Sequence, residues 1–441
     1  MSHRAGAGLV LVVLMAWSTP LRAQTSLQIP LQFDFINPGA KSKAMGGAFS
    51  GLADDATATF ANPAGLLLIN RPEVSVELRY THTTAPFLER GRLSGAIFDQ
   101  GTDTIQGPVF GESTNSDLGV DFLAGVYTPG RRWRVAAYRH ELIRVDQSVF
   151  SFGVFQKDPA EFTSRRELPQ EGLRQVSVTG YGGTVSYRLN PQVSVGASLT
   201  AYAFRIDSRF RRFDTVGFLG APNLDAELGR STQQGDDVSL APTIGALFDV
   251  RDRVRVGVVY RQGPSFTFTT QDGPDPERQG QFRVPTTFAV GASFQPVRSP
   301  THPVLTVAGE VTRVTYGRLR EDFVIDQALF TGREDSFDIE SGTEVHVGVQ
   351  YWPTLERGAP QIRAGLWYDP DHSVQFTPLA NPMSIADRTF DERLSTALGQ
   401  GKGLVHYTGG IGFSLTPRLE INAAIDVTSQ SHVLSMSMVV R

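Results

Sequence analysis

The chain of 441 residues has 20% charged side chains, a formal net charge of −4 and no cysteine. Mild acidity offers no electrostatic footprint for nucleic acid, and the lack of cysteine excludes a disulfide framework and thiolate chemistry. Length alone suggests two or three soluble domains, but the patterning argues for a different architecture.

Residues 1–23 read as a cleavable export signal. His3 and Arg4 form a basic start, "GAGLVLVVLMAW" is an apolar stretch, and "TPLRA" leads to the small residue Ala23, which places cleavage before Gln24. The other reading, a membrane anchor, fails on length, because about 12 apolar residues cannot cross a hydrocarbon layer of roughly 30 Å. Losing Arg4 and Arg22 with this segment takes the net charge from −4 to −6.

Residues 24–72 contain no clean period-two segment. Their first part, "SLQIPLQFDF", alternates Leu27, Ile29, Leu31, Phe33 and Phe35. Their second part, "GGAFSGLADDATATFANPAGLLL" at 46–68, is rich in small residues that allow close backbone packing. Asp54 and Asp55 read as a cap on a short helix, with cation binding as the other reading. Asn62 and Pro63 read as a turn towards the first strand.

From residue 73 to 441 the pattern has period two. In "TEVHVGVQY", Val345, Val347, Val349 and Tyr351 alternate with Glu344, His346, Gly348 and Gln350. That is a strand with one apolar and one wet face. Such strands fall near 73–83, 117–128, 132–148, 173–189, 192–210, 237–250, 253–270, 281–296, 303–320, 341–353, 360–370, 403–416, 418–428 and 432–440. Short connections such as "TPGRR" and "NP" alternate with long ones near 84–116, 149–172, 211–236, 271–280, 321–340 and 371–402. The pattern predicts an all-β protein, a fourteen-stranded antiparallel transmembrane β-barrel, with aromatic girdles that include Trp133, Tyr260 and Tyr351. A soluble sandwich or propeller is the alternative, but no blade-length repeat supports it.

Enzymatic chemistry is not legible. "HELIR" at 140–144 puts Arg144 where a zinc-protease helix needs its second histidine, and no nucleophile elbow or phosphate loop is present. No catalytic residue, metal or cofactor is expected. Inside a barrel, Arg255 or Arg363 could pair with a carboxylate ligand, although mutual ion pairs are the commoner use of such charges. Phe49 in the small-residue stretch, and Phe152 and Phe155 in a loop cluster with Phe150, are further ligand contacts by their apolar character. In "RRWRVAAYRHELIRV" the alternation weakens near Ala136 and Ala137, and Arg139 would otherwise face lipid. A bulge there relieves that cost.

The stretch "GGAFSGLADDATATFANPAGL" closely resembles the N-terminal hatch of the FadL-like outer-membrane transporters, the long-chain fatty acid and aromatic hydrocarbon channels of FadL and TodX type. The match lies in Ala53–Ala56 (Ala-Asp-Asp-Ala) followed by Asn62, Pro63 and Ala64. "VPTTFAVGASF" at 284–294 and the region 362–403 are also similar. The resemblance implies three parts: a signal at 1–23, a hatch at 24–72 and a barrel at 73–441. It further implies a hatch N-terminus that reaches the ligand pocket through Phe33 and Phe35, and a kinked third strand that opens sideways near Ala136, Ala137 and Arg139. The expected partners are a hydrophobic small molecule, outer-membrane lipid and lipopolysaccharide, and the outer-membrane assembly machinery, with the protein acting as a monomer in the bacterial outer membrane. The rival is a barrel of the same fold that serves protein secretion. The ending "MSMVVR" departs from the family habit of a terminal aromatic.

Overall fold

The computed structural model describes residues 35, 37–93, 107–157, 164–166, 169–216, 222–300, 302–320, 334–353, 360–398 and 401–441. The export signal and Phe33 lie outside them. Fourteen antiparallel strands close into one barrel. They are β1 (Glu73–Gly91), β2 (Pro108–Tyr127), β3 (Trp133–Ser151), β4 (Gln170–Asn190), β5 (Val193–Thr215) and β6 (Pro222–Arg251). Then come β7 (Val254–Arg261, resuming at Ser265–Asp272), β8 (Arg278–Arg283, resuming at Thr287–Arg298), β9 (Pro303–Val314) and β10 (Gly342–Tyr351). The last four are β11 (Gln361–Asp369), β12 (Leu404–Thr416), β13 (Leu419–Val427) and β14 (Ser431–Val440). Each strand pairs with its sequence neighbours, and β14 pairs with β1 from Val74↔Val440 to Thr83↔Ser431. Closure pairs the first strand with the last, which is the condition for a sheet to sit in lipid.

The alternation is inverted relative to a soluble barrel. In β10 the polar Glu344, His346 and Gln350 are buried while Val345, Val347, Val349 and Tyr351 are exposed. β14 exposes Leu434, Met436, Met438 and Val440 and buries Ser435 and Ser437. Apolar side chains facing out and polar ones facing in define a wall solvated by lipid.

The strands outrun their sequence signal in two places. The expected loops at 84–116 and 211–236 are largely ladder, because β1 and β2 stay paired to Gly91↔Pro108 and β5 and β6 to Thr215↔Pro222. These extensions mix polar and apolar side chains without a clean alternation, so they carry no period-two signal, yet backbone pairing holds them. The expected strand 303–320 instead ends at Val314 and turns into a short 3₁₀ helix, Tyr316–Leu319. The expected loop 371–402 contains a helix, Ile385–Ala397. A capping box starts it: Asp387 N donates to Ser384 Oγ at 3.0 Å, and Ser384 N donates to Asp387 Oδ2 at 3.0 Å.

β7 and β8 are each broken at a proline, Pro264 and Pro285, which cannot donate to a ladder. Gly263 sits at the break, where a Cβ would lie 2.0 Å from the Val284 carbonyl oxygen, so only glycine fits. Arg318 fills the break, its Nη1 donating to Gly263 O (3.2 Å), Val284 O (3.0 Å) and Thr286 Oγ1 (2.7 Å).

Candidate functional site

Residues 37–72 lie against the inward face of the barrel, and that face supplies the hydrogen bonds which the irregular backbone lacks. They include two short helices, α1 (Ala40–Ala44) and α2 (Ala58–Ala61), and a 3₁₀ turn at Pro63–Leu68. Glu310 of β9 accepts from Phe49 N (2.9 Å), Ser50 N (2.8 Å) and Ser50 Oγ (2.7 Å). Glu73 accepts from Ala56 N at 2.7 Å, and Glu77 from Gly39 N at 2.5 Å. Arg261 donates to Phe60 O at 2.7 Å, with its guanidinium 3.7 Å from the Phe60 ring centroid. Barrel glycines make room for this backbone, since a Cβ on Gly257 would lie 2.0 Å from Ser50 O.

The small-residue stretch is therefore held by a network of charges. Asp54 pairs with Lys41 at 2.6 Å. Burial pulls its pKa up, but the Lys41 ammonium outweighs burial and holds it below the usual carboxylate range. Asp55 accepts from Thr57 N at 2.9 Å and from the Thr57 hydroxyl. Its pKa is raised, mainly by burial and further by Asp54, against the pull of Lys41. The expectation that both aspartates cap a helix needs correction. Thr57 is the N-cap of α2 and makes no side-chain cap bond, so Asp55 braces the preceding turn and Asp54 serves an ion pair. Asn62 does turn the chain: its Oδ1 accepts from Ala64 N at 3.1 Å, its Nδ2 donates to Ser50 O (2.8 Å) and Ala246 O (3.1 Å), and Pro63 opens the 3₁₀ turn.

Two cavities share the lumen. The larger, about 330 Å³, lies in the outer part, lined by Phe87, Leu88, Val149, Leu173 and Phe210 together with Arg174, Arg209, Arg212, Arg230 and Asp272. Beneath it the ladder places Val145, Val176 and Ile206 on one buried rung. The smaller, about 150 Å³, is lined by Arg79, Asp121, Arg144, Asp369, His372 and His406, among others. His372 sits in the loop after β11. Burial opposes its charged form, but Asp369 at 3.3 Å outweighs this and raises its pKa to about 9.

The wall has two seams. β2 and β3 pair only from Phe122↔His140 to Tyr127↔Val135, although β2 remains paired to β1 and β3 to β4 well beyond. Side chains cross this first seam. Arg144 Nε meets Asp117 at 3.1 Å, Arg139 donates to Val120 O, and Ser113 Oγ donates to Ser148 O at 2.8 Å, while Arg139 also pairs with Glu141 of its own strand at 3.0 Å. The second seam lies between β6 and β7, whose ladder runs to Thr243↔Arg261 and resumes at Gln234↔Thr269. Across the interval, Gln262 N donates to Pro242 O (3.1 Å) and Thr267 N to Asp237 Oδ2 (2.8 Å). Behind it Phe204 stacks on Phe266 and Phe282 at 4.8 and 5.2 Å, with interplanar angles of 10° and 12°.

The sequence-predicted residues are dispersed over these parts. Phe35 is buried 6.1 Å from Tyr316, and Phe49 is fully buried beside Lys41. Phe152 is half-exposed against Phe150 at 5.2 Å, while Phe155 is fully buried. Arg255 is committed to Asp249 at 3.0 Å, and buried Arg363 to Gln350 (2.8 Å), Asn422 (2.7 Å) and Gln361. None of these borders the larger cavity. Pairing through Ala136, Ala137 and Arg139 is continuous on both sides, and the register shift falls later, between Glu141 and Ile143. There Leu142 and Ile143 are buried in succession, while Arg139 turns into the seam and away from lipid. The cavity residues on β3 to β7 escaped sequence reasoning, because their meeting depends on register between distant strands.

No protein-family model matches the chain, and no curated protein sequence does. Solved structures match closely in shape. A Pseudomonas aeruginosa FadL homologue aligns over 90% of this chain and 97% of its own at 13% identity, with a TM-score of 0.59. The Ralstonia pickettii toluene transporter TbuX aligns over 92% and 99% at 15% identity, TM-score 0.53. The P. putida toluene transporter TodX aligns over 92% and 98% at 16% identity, TM-score 0.53. The chain thus has the fold of the FadL-type barrels, in agreement with the resemblance of its hatch sequence.

Proposed function

We propose that this protein is an outer-membrane channel that takes up a hydrophobic small molecule. The observation that carries the reading is the apolar column inside the barrel. It starts at the outer cavity of Phe87, Leu88 and Phe210, passes Val176 and Ile206, and ends at the Phe204 stack. A soluble core would not need an internal cavity of this size. The solved neighbours described as toluene transporters support the same reading.

In this scheme residues 24–72 are the plug, 73–441 the barrel, and a single chain suffices as a monomer. The outward apolar belt contacts membrane lipid and, outside, lipopolysaccharide. A solute is captured from outside and enters the cavity. The anchored plug blocks the straight path, so the solute leaves sideways through the wall. The secretion-accessory reading needs loops that project to dock proteins. Against it, Phe337, Phe376, Phe390 and Leu394 of the outer segments pack onto the main core cluster, so those segments cap the lumen. Purification in several detergents followed by native mass spectrometry tests the proposal. A co-purifying lipid or hydrocarbon is expected, and an empty protein in every detergent would argue against uptake.

A further inference from the structure

The two ends of the barrel use arginine differently. Towards the long loops, exposed arginines have carboxylate partners: Arg205 meets Asp236 at 2.8 Å, Arg230 meets Glu227 at 2.8 Å and Arg144 meets Asp117 at 3.1 Å. At the short-turn end, which faces the periplasm in outer-membrane barrels, the charges are left open. Arg131 and Arg132, in the turn between β2 and β3, are exposed and make no ion pair among the described residues. Just inside them, Arg134 donates to the carbonyls of Ile69 (2.6 Å) and Gly130 (2.5 Å), and Arg188 to that of Leu67 (2.8 Å). Arg188 N also donates to Arg132 O at 2.9 Å, which ties the two segments together. Arg188 Nε is buried without a hydrogen-bond partner. Four guanidinium charges thus gather at one corner with carbonyls for company and no carboxylate. Carbonyls satisfy hydrogen bonds but do not neutralise charge, so the corner repels itself until an anion joins it.

The depth of this corner says where the anion comes from. Trp133 is 49% exposed and packs on Tyr187, its ladder partner, with ring centroids 4.4 Å apart. Val135 and Val185, the next outward pair along the ladder, are both exposed and continue the lipid-facing belt. Exposed tryptophan and tyrosine mark the headgroup level of a bilayer. At about 3.3 Å per residue, Arg131 and Arg132 lie in that same layer. Open arginines recur around the rim. Arg251 and Arg418, in two further turns, are exposed and make no ion pair among the described residues, and exposed Arg298 donates to a backbone oxygen, Asp252 O, at 2.9 Å. A lipid leaflet meets such a ring on all sides at once, whereas a protein partner covers one sector. A phosphate offers a pair of oxygens that the planar guanidinium fork grips at two points. An anionic phospholipid brings that phosphate with its charge uncancelled, while a zwitterionic one offsets it with its own ammonium.

We propose that the short-turn rim is a binding surface for anionic phospholipid headgroups, with its principal site at Arg131 and Arg132 beside Trp133 and Tyr187. The inference rests on the outer-membrane placement in the proposed reading and adds a lipid partner to it, whatever solute the lumen carries.

The test titrates dioleoyl phosphatidylglycerol or dioleoyl phosphatidylcholine onto the purified full chain in detergent and counts bound lipids by native mass spectrometry. One arginine near an anionic headgroup contributes about fivefold, so phosphatidylglycerol is expected to bind at least about tenfold tighter. Arg131→Gln with Arg132→Gln removes most of that preference and leaves phosphatidylcholine unchanged. Arg131→Lys with Arg132→Lys keeps the charge without the fork and retains part of it. Arg205→Gln with Arg230→Gln takes away as much charge at the other end and leaves the preference intact. Equal affinity for the two lipids overturns the proposal and turns the rim over to a soluble acidic partner. So does an equal loss in the Arg205 and Arg230 variant, which would reduce the effect to net charge. A co-purifying solute without headgroup selectivity refutes this proposal alone, and selectivity without any solute refutes uptake alone. Binding of neither lipid refutes the membrane placement on which both rest.

Discussion

The two seams interrupt the same wall on shared ladder rungs, and the side chains behind them are opposite in kind. The rung through Leu123 and Arg139 at the first seam continues through Tyr181 and Ala201 to Leu240 at the second. At the first seam an emerging solute meets Asp117, Glu141, Arg139 and Arg144, with a charged cavity behind them. At the second it meets stacked phenylalanines inside and exposed Val238 and Leu240 outside. Unpaired backbone facing lipid is costly, so a gap in the wall marks a place to examine. The lining then decides what can pass. Pushing an apolar molecule between ion pairs forfeits their contacts and offers none in return, whereas the phenylalanine stack exchanges one apolar contact for another. On the proposed reading, that difference favours β6/β7 over β2/β3 as the sideways exit.

The largest expected effect comes from closing each seam in turn. The chain has no cysteine, so introduced thiols report cleanly. Joining Leu240→Cys to Ser265→Cys with a short bifunctional thiol reagent is expected to cut uptake of an apolar dye into proteoliposomes by about a hundredfold, equivalent to about 2.7 kcal/mol of barrier. The same reagent on Asp117→Cys and Arg144→Cys should leave uptake nearly unchanged. The reverse pattern would move the exit to the third strand.

The next effect separates the seams by pH. His372 borders the polar cavity behind the first seam, stacks on Tyr316 at 4.3 Å and has Asp369 and Glu344 as its charged neighbours. Its folded pKa is raised, from 6.5 to about 9. A raised value means a stabilising charge that is fully present below pH 6.5 and lost as pH climbs through about 9. The melting temperature of wild type minus that of His372→Phe should therefore shrink over that window, from a stability difference on the order of 3 kcal/mol. A difference that stays flat from pH 6 to 10 would remove the charge from the account. Phe204→Leu at the other seam should show no such trend.

What the sequence disclosed and what it hid follow the same division. Strands such as β10 and β14 were legible because lipid on one side and a wet lumen on the other impose period two. The outer extensions of β1, β2, β5 and β6 were not, since stretches such as "STNSDLG" and "GRSTQQGDD" are polar at nearly every position and so carry no alternation. Pro264 and Pro285 were in view and could have marked the broken strands, because a proline cannot sit in a central ladder without a break. The Ser384 capping box could likewise have marked the helix in the loop. The outer cavity could not have been read. Gln147, Arg174, Ser208, Gln233 and Thr270 form one rung across five strands, and only register brings residues so far apart in sequence together.

A smaller effect tests how the second seam is kept from unravelling. Arg318 supplies the donors that the breaks in β7 and β8 remove, reaching Gly263 O, Val284 O and Thr286 Oγ1. Arg318→Ala strands two carbonyls and is expected to cost about 2 kcal/mol in thermal unfolding. Arg318→Lys, with a single point-charge donor, should recover part of it. A neutral Arg318→Ala would mean that water already serves these carbonyls.

The smallest effect is the most diagnostic for the first seam. Arg144 and Asp117 have side chains 48% and 30% exposed. An ion pair so open to solvent is screened by salt and contributes on the order of 0.5 kcal/mol. Asp117→Asn should therefore lower the unfolding midpoint only slightly at low ionic strength and not at all in high salt, with dye uptake unaffected. The small size matters because it separates two meanings of the same contact. A pair worth a fraction of a kcal/mol cannot lock the wall, so the first seam stays unused because its charges are unfavourable company for an apolar solute, whatever its mechanical strength. If Asp117→Asn instead cost 2 kcal/mol or more and raised dye entry, the first seam would be a latched door and the contrast between the two seams would be one of strength. Measuring both quantities on the one variant decides between those accounts.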